Sequence, residues 1–203
     1  MEKPSSEAER IKNTKLLEDT LALESGKVLI TGVGISGKST FRRALFQYLK
    51  DNGKPVAHYD ADNFSKIRHP LDEFCLNKLP ENFDDKLYLI EDIHATMPKG
   101  AIMPISSYDN TFYVLPDIKS HNMFWGERML RWFENGTFSW EAGFGWSGTG
   151  KPRDPENLKG IMDAYQHDMD NRENWIKEDL DVISKYPHKI VKSVWTKEGP
   201  VFV

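Results

Sequence analysis

One segment constrains this chain more than any other. Gly32-Val33-Gly34-Ile35-Ser36-Gly37-Lys38-Ser39 satisfies G-x-x-x-x-G-K-[ST] at every fixed position. Lys27 to Thr31 (KVLIT) precedes it, a short β-branched run that predicts a buried strand. Phe41, Ala44, Leu45, Tyr48 and Leu49 follow at helical spacing, and Asn52-Gly53-Lys54-Pro55 supplies a helix stop. Pro55 to Tyr59 (PVAHY) then predicts a second strand. Strand, turn, helix, strand over this length is a βαβ unit, and a βαβ unit requires a parallel sheet.

A glycine-rich turn in that setting has a specific chemical use. Its glycines let backbone N–H groups converge on phosphate oxygens, and the helix N-terminus adds partial positive charge. The nucleotide site predicted from the motif comprises Gly32, Val33, Gly34, Ile35, Ser36, Gly37, Lys38, Ser39 and Thr40. Lys38 reaches the β- and γ-phosphates, Ser39 ligates Mg²⁺ and Thr40 assists at the α-phosphate. The blander alternative, a chance glycine turn before a helix, is disfavoured because motif and context agree. A loop that binds nucleotide without turnover is the second reading. A GTPase needs an N/T-K-x-D motif, and the nearest segment, Asn77-Lys78-Leu79-Pro80, lacks the aspartate. The chain of 203 residues is short for a hexameric motor. An ATP-dependent small-molecule kinase is the leading class.

Tyr59-Asp60-Ala61-Asp62-Asn63-Phe64 comes directly after the second predicted strand. Ligands of open α/β sheets bind beyond the carboxyl ends of the strands, so acids there face the transferred phosphate. A carboxylate that takes the acceptor hydroxyl's proton and helps order Mg²⁺ suits phosphoryl transfer to an alcohol. Asp62 is the expected base and a metal ligand beside Ser39, with Asp60 second. Asp60, Asp62, Asn63 and Phe64 form the expected acceptor side, continued by residues 64–82. Loop aspartates also form Asx-turns, which is the competing structural use.

From Gly32 through Phe64 the chain resembles P-loop kinases of the uridine kinase and phosphoribulokinase group, in which a D-[SD]-F-Y type segment follows the second strand. Arg128-Met129-Leu130-Arg131 is similar to that group's R-x-x-R on the helix before the lid. Arg153-Asp154, leading into a helix with Tyr165, is similar to its lid-to-helix passage, and Pro187 to Ser193 to its closing strand. The nearest counterpart of the group's V-V-I-x-E-G strand is Ala101 to Ser107, which lacks the glutamate. The resemblance implies a P-loop three-layer α/β sandwich, with about five parallel strands, helices on both faces and a lid. It also implies ATP and Mg²⁺. A weaker likeness to adenylylsulfate kinases rests on Asp60-Ala61-Asp62-Asn63 against D-G-D-N and Ile105-Ser106-Ser107-Tyr108 against I-S-P-Y. The acceptor stays open among nucleosides, other ribosyl compounds, pantothenate-like alcohols and adenylylsulfate.

The remaining elements follow from pattern. Ser6 with Glu9 reads as a capping box opening a polar helix to Leu23, within an N-terminal segment 1–25. Asp84 to Thr96 reads as a helix, although Leu87-Tyr88-Leu89-Ile90 before Glu91-Asp92 also mimics a Walker B strand whose acids would organise Mg²⁺. Gly100 to Ile105, Thr111 to Leu115 and Lys189 to Trp195 read as strands, and Ile118 to Glu134 as a helix stopped by Asn135-Gly136. Leu158, Ile161, Met162, Tyr165, Met169, Ile176, Leu180 and Ile183 mark one face of a long helix. Arg172 falls on that stripe, where laying its stem across the core edge is favoured over pointing into a site. Arg128, Arg131 and Arg153 are candidates for clamping the triphosphate. Residues 136–155, with Phe138, Trp140, Phe144 and Trp146 among glycines, form the expected lid loop. A small satellite core is the equal alternative for those aromatics.

Composition removes other classes. Lys plus Arg total 27 and Asp plus Glu 31, a formal charge of −4. That balance argues against a protein that coats duplex nucleic acid. The one cysteine, Cys75, excludes an internal disulfide and cysteine-rich zinc sites. No apolar run approaches the ~20 residues of a membrane span. The expectation is a single cytoplasmic P-loop kinase domain over residues 1–203, taking a nucleotide and a small-molecule acceptor. Its oligomeric state is not fixed by the sequence.

Overall fold

The structure, a computed structural model, describes residues 7–61, 70–97, 100–136, 139–140, 146–147, 151–196 and 198–203. The predicted βαβ unit forms as read. Strand β1 (Gly26–Thr31) leads through the glycine turn into helix α2 (Lys38–Asp51) and strand β2 (Val56–Asp60). Helix α1 (Thr14–Leu21) precedes them. Strand β3 (Leu87–Glu91) lies between β1 and β2. Strand β4 (Asn110–Pro116) flanks β1 on its other side, followed by β7 (His188–Thr196) and β8 (Gly199–Phe202). The order is β2-β3-β1-β4-β7-β8. The pairs from β2 to β7 are parallel, and β8 closes the sheet antiparallel to β7.

The central strands are buried on both sides, which is why they read as unbroken apolar runs. Val28, Ile30, Leu87, Leu89, Phe112 and Val114 point to one face and pack with Phe41, Ala44, Leu45 and Leu49 of α2 and Leu16 and Leu17 of α1. Phe41 meets Phe112 and Phe202 edge-on, with ring centroids 5.7 and 5.1 Å away. Leu29, Tyr88, Ile90 and Tyr113 point to the other face, packing with Ile183 and Leu180 of helix α4 (Pro155–Ile183). Each fully buried Leu or Phe contributes about 1.5–3 kcal/mol. Helix α3 (Ile118–Asn135) packs Trp125 against Ile161 and Ala164 of α4. It ends at Gly136 in the left-handed region, as Asn135-Gly136 predicts.

Several expectations are corrected. The helix expected from Ser6 to Leu23 is instead a 3-10 turn at Glu7–Arg10 and then α1, capped by the Asn13 side chain on the Leu16 N–H. Ser6 lies outside the described residues. Asp84 to Thr96 is not a helix: Leu87–Glu91 is a strand paired on both sides, where five buried side chains leave no solvent face for an amphipathic helix. Gly100 to Ile105 forms no strand; Ile105–Ser107 is a 3-10 turn. The apolar stripe of α4 is shifted, since Leu158 and Met162 are about half exposed. Its buried positions are Asn157, Ile161, Ala164, Asp168, Arg172 and Ile183. Within residues 136–155, strands β5 (Ser139–Trp140) and β6 (Trp146–Ser147) pair antiparallel. No helix among the described residues is long and apolar enough to cross a membrane.

Candidate functional site

The turn after β1 sits at the carboxyl end of the central strand, and its geometry explains its glycines. Gly32 has φ 142°, and a Cβ there would lie 2.5 Å from the Val114 carbonyl oxygen of β4. Gly37 has φ 94°, and a Cβ would meet Phe124 of α3 at 3.1 Å. Ile35 is held at φ 60°, a conformation that strains a β-branched residue. Its side chain packs on the Trp125–Ile161–Ala164 cluster. From below, the Ser193 hydroxyl of β7 donates to the Ser36 carbonyl at 2.9 Å. The buried Lys38 ammonium donates to the Val33 carbonyl at 2.8 Å.

Helix α2 starts here without a side-chain cap, because Gly37 has none to offer. The other long helices are capped by Asn13, Asp117 and Asp154. The first turn of α2 therefore receives no cap from the side chain of the residue before it.

One wall of the site is a continuous charge network. The Ser39 hydroxyl donates to Glu91 Oε1 at 2.7 Å, and Arg42 Nε donates to Glu91 Oε2 at 2.9 Å. Arg42, three residues along α2 from Ser39 and fully buried, also reaches Asp60 at 3.0 Å and Asp72 at 3.2 Å. Burial alone would lower its pKa, but Glu91 and Asp60 hold it above the ordinary arginine value. Glu91 and Asp60 end adjacent strands in register. Asp92 is differently occupied: its carboxylate accepts from the backbone N–H groups of His94 and Ile102, at 2.8 and 2.9 Å, and so fixes the chain after β3.

His58, Asp72 and Cys75 bring one potential metal-ligand atom each within 4.8 Å of one another. The space is taken by Arg42, whose Nη1 contacts His58 Nδ1 and lies 2.9 Å from Cys75 Sγ. A permanent cation in the centre opposes a second one, so this trio is structural. Burial and the Arg42 charge press the His58 pKa down to about 3.

The opposite wall belongs to β4 and α4. The Tyr113 hydroxyl donates to Asp179 Oδ2 at 3.0 Å, and Thr96 donates to Asp179 Oδ1. Burial raises the Asp179 pKa, against the two hydroxyl bonds and the nearby Lys38 charge. The Tyr113 hydroxyl also lies within reach of the Val33 backbone. Between α3 and α4, His121 bonds Asp168 at 2.5 Å in full burial.

The predicted residues are therefore partly assembled. Gly32 to Thr40 and Asp60 meet at one end of the sheet. Asp62, Asn63, Phe64, Phe138 and Phe144 lie outside the described residues. The three expected clamp arginines are exposed, and none bonds to residues 32–39. Arg131 pairs with Glu127 at 3.1 Å, Arg128 lies 5.0 Å from the Trp132 ring centroid, and the Arg153 N–H donates to the Phe133 carbonyl. Sequence reasoning missed Arg42, which looks like any cation on a helix. It underrated Glu91, although the apolar-then-acidic signal was present. It also took Arg172 as an edge residue, whereas that side chain is 5% exposed.

No family model matches this chain, and no curated protein is similar to it.

Proposed function

We propose that the chain is an ATP-dependent kinase of a small metabolite, transferring the γ-phosphate to an alcohol. The observation that carries this reading is the Ser39–Glu91 hydrogen bond. It joins the last residue of the glycine-rich turn to an acid at the end of the neighbouring parallel strand. The strand order supports the same reading, because the turn follows β1 at the centre of the sheet and the acids end β2 and β3. That is the crevice in which open α/β sheets bind ligands. It is consistent with a P-loop sandwich of the uridine kinase and phosphoribulokinase group.

In this reading the N–H groups of residues 34–40 and the Lys38 ammonium hold the phosphates. Lys38 exchanges its bond to Val33 for a phosphate oxygen. The hydroxyl and carboxylate oxygens of Ser39 and Glu91 are a hard donor set that fits Mg²⁺. The ion would supply charge neutralisation for the phosphates and shape their orientation. Glu91 orients the Ser39 hydroxyl, and Arg42 orients Glu91. Asp60 is committed to Arg42, so taking the acceptor's proton falls to Asp62. Residues 70–82 continue the expected acceptor side, tied down by Arg42 and Arg43 through Asp72.

The test is Lys38→Ala with a panel of alcohol acceptors. Acceptor-dependent ATP consumption by the wild type should fall by about a thousandfold or more in the variant, with an unchanged circular dichroism spectrum. A variant with near-native turnover would overturn the assignment. A wild type that binds ATP yet consumes none with any acceptor would favour the second reading, a nucleotide-binding regulatory module.

A further inference from the structure

Two arginines are buried among the described residues, Arg42 on α2 and Arg172 on α4, and only Arg42 has ion pairs among them. Arg42 touches three carboxylates. Arg172 is 5% exposed and makes no ion pair among the described residues; its Nη1 donates to Met169 Sδ of its own helix, at 3.5 Å. A buried guanidinium without an anion is costly, and native proteins rarely keep one without use.

Its place on α4 is set by the buried residues on either side of it. Ile161, Ala164, Asp168, Arg172 and Asp179 follow at three, four, four and seven residues, a single inward stripe of α4. At one end of this stripe, Ile161 and Ala164 belong to the cluster against which Ile35 packs. At the other end, Asp179 bonds Tyr113 beside the Val33 backbone and feels the Lys38 charge. Residues of α4 before and after Arg172 thus adjoin the Ile35 side and the Lys38 side of the glycine turn. The two acids on the stripe are engaged elsewhere, Asp168 by His121 and Asp179 by Tyr113 and Thr96.

We propose that Arg172 is an anion ligand, held unpaired across from residues 32–39 to grip a phosphoryl group, so that α4 is the second jaw of a polyphosphate site. This rests on the kinase reading only in taking the anion for a nucleotide's phosphates. A planar guanidinium suits this task because it meets two phosphate oxygens at once. It also places a charge opposite Lys38, where negative charge spreads during transfer.

The experiment uses inorganic tripolyphosphate and ATP as probes on the full chain, with thermal unfolding and calorimetric titration. Without anion, Arg172→Met should melt at the wild-type temperature or above it, because an uncompensated buried charge is removed. Its tripolyphosphate Kd should rise about ten- to a hundredfold. Arg172→Lys, which keeps the charge and loses the planar fork, should fall between. An Arg172→Met protein that melts lower without anion and binds tripolyphosphate as tightly as the wild type would overturn the inference, leaving the kinase reading intact. So would Arg172→Lys with wild-type affinity, should the methionine variant not fold. Arg172-dependent binding of tripolyphosphate without any ATP turnover would sustain the inference and defeat the kinase reading. A wild type that binds neither probe would defeat both.

Discussion

The two walls beside the glycine turn handle buried charge in opposite ways. On the wall made by α2, β2 and β3, the Arg42 guanidinium is surrounded by Glu91, Asp60 and Asp72, and the cluster is closed within the protein. On the wall made by α4, Arg172 has no carboxylate partner among the described residues, and Asp179 is held by hydroxyl groups. A closed network fixes geometry, because its guanidinium charge is already balanced within the protein. An open charge is unfavourable until an anion arrives. The difference assigns positioning to the first wall and capture to the second.

Removing Arg42 tests the first half of this contrast and should have the largest effect. Arg42→Met leaves three acids facing one another in a buried site. Breaking a buried pair from one side costs about 3–5 kcal/mol, read as a drop in the urea midpoint with unchanged slope. The same substitution at Arg172 carries the opposite expected sign. Equal losses at the two positions would erase the distinction between the walls.

Glu91→Gln asks whether the closed wall serves chemistry as well as stability. The amide keeps the shape and an acceptor for Ser39, but loses the charge beside the expected Mg²⁺ position. Loss of a charged oxygen from the proposed donor set should cost at least the roughly ten- to hundredfold in metal affinity or activity that outer-shell changes cost. The expected signature is a higher Mg²⁺ requirement and a lower kcat, with ATP-free stability moved much less than in Arg42→Met. Asp92→Asn is the control: its oxygens serve the His94 and Ile102 backbone, so a matching loss of activity would show that the strand end, not Glu91, matters.

The same contrast explains what the sequence made visible. The glycine turn and its βαβ unit were legible because a local pattern encodes them: fixed glycines, an apolar run, a helical period. Leu87 to Ile90 was ambiguous for a physical reason. A strand buried on both faces has no alternation, and four apolar residues suit a buried helix segment equally well. Gly100 to Ile105 forms no strand, and the acid beside Ser39 is Glu91 at the end of β3. Arg42 and Arg172 carry identical local signals, each a cation at a helical apolar spacing. Only tertiary contacts distinguish an arginine with three acids from an arginine with none. The arginines singled out by R-x-x-R, Arg128 and Arg131, face solvent on α3, because a short motif does not say which side of a helix is inward.

His58 gives the smallest and most selective probe of the closed wall. It is buried in the Arg42 cluster, stacked 4.1 Å from the Phe46 ring, and held neutral with its pKa down at about 3. The unfolded chain has an ordinary histidine, near pH 6.5. Between those values the unfolded state binds a proton that the folded state refuses, so stability falls as the pH is lowered. The slope approaches about 1.4 kcal/mol per pH unit once well below the unfolded pKa. Urea midpoints between pH 6.5 and pH 5 should therefore decline in the wild type more steeply than in His58→Asn, which cannot titrate. Parallel slopes would mean that Arg42 does not exclude a second charge from this wall, and that the network is looser than its distances imply.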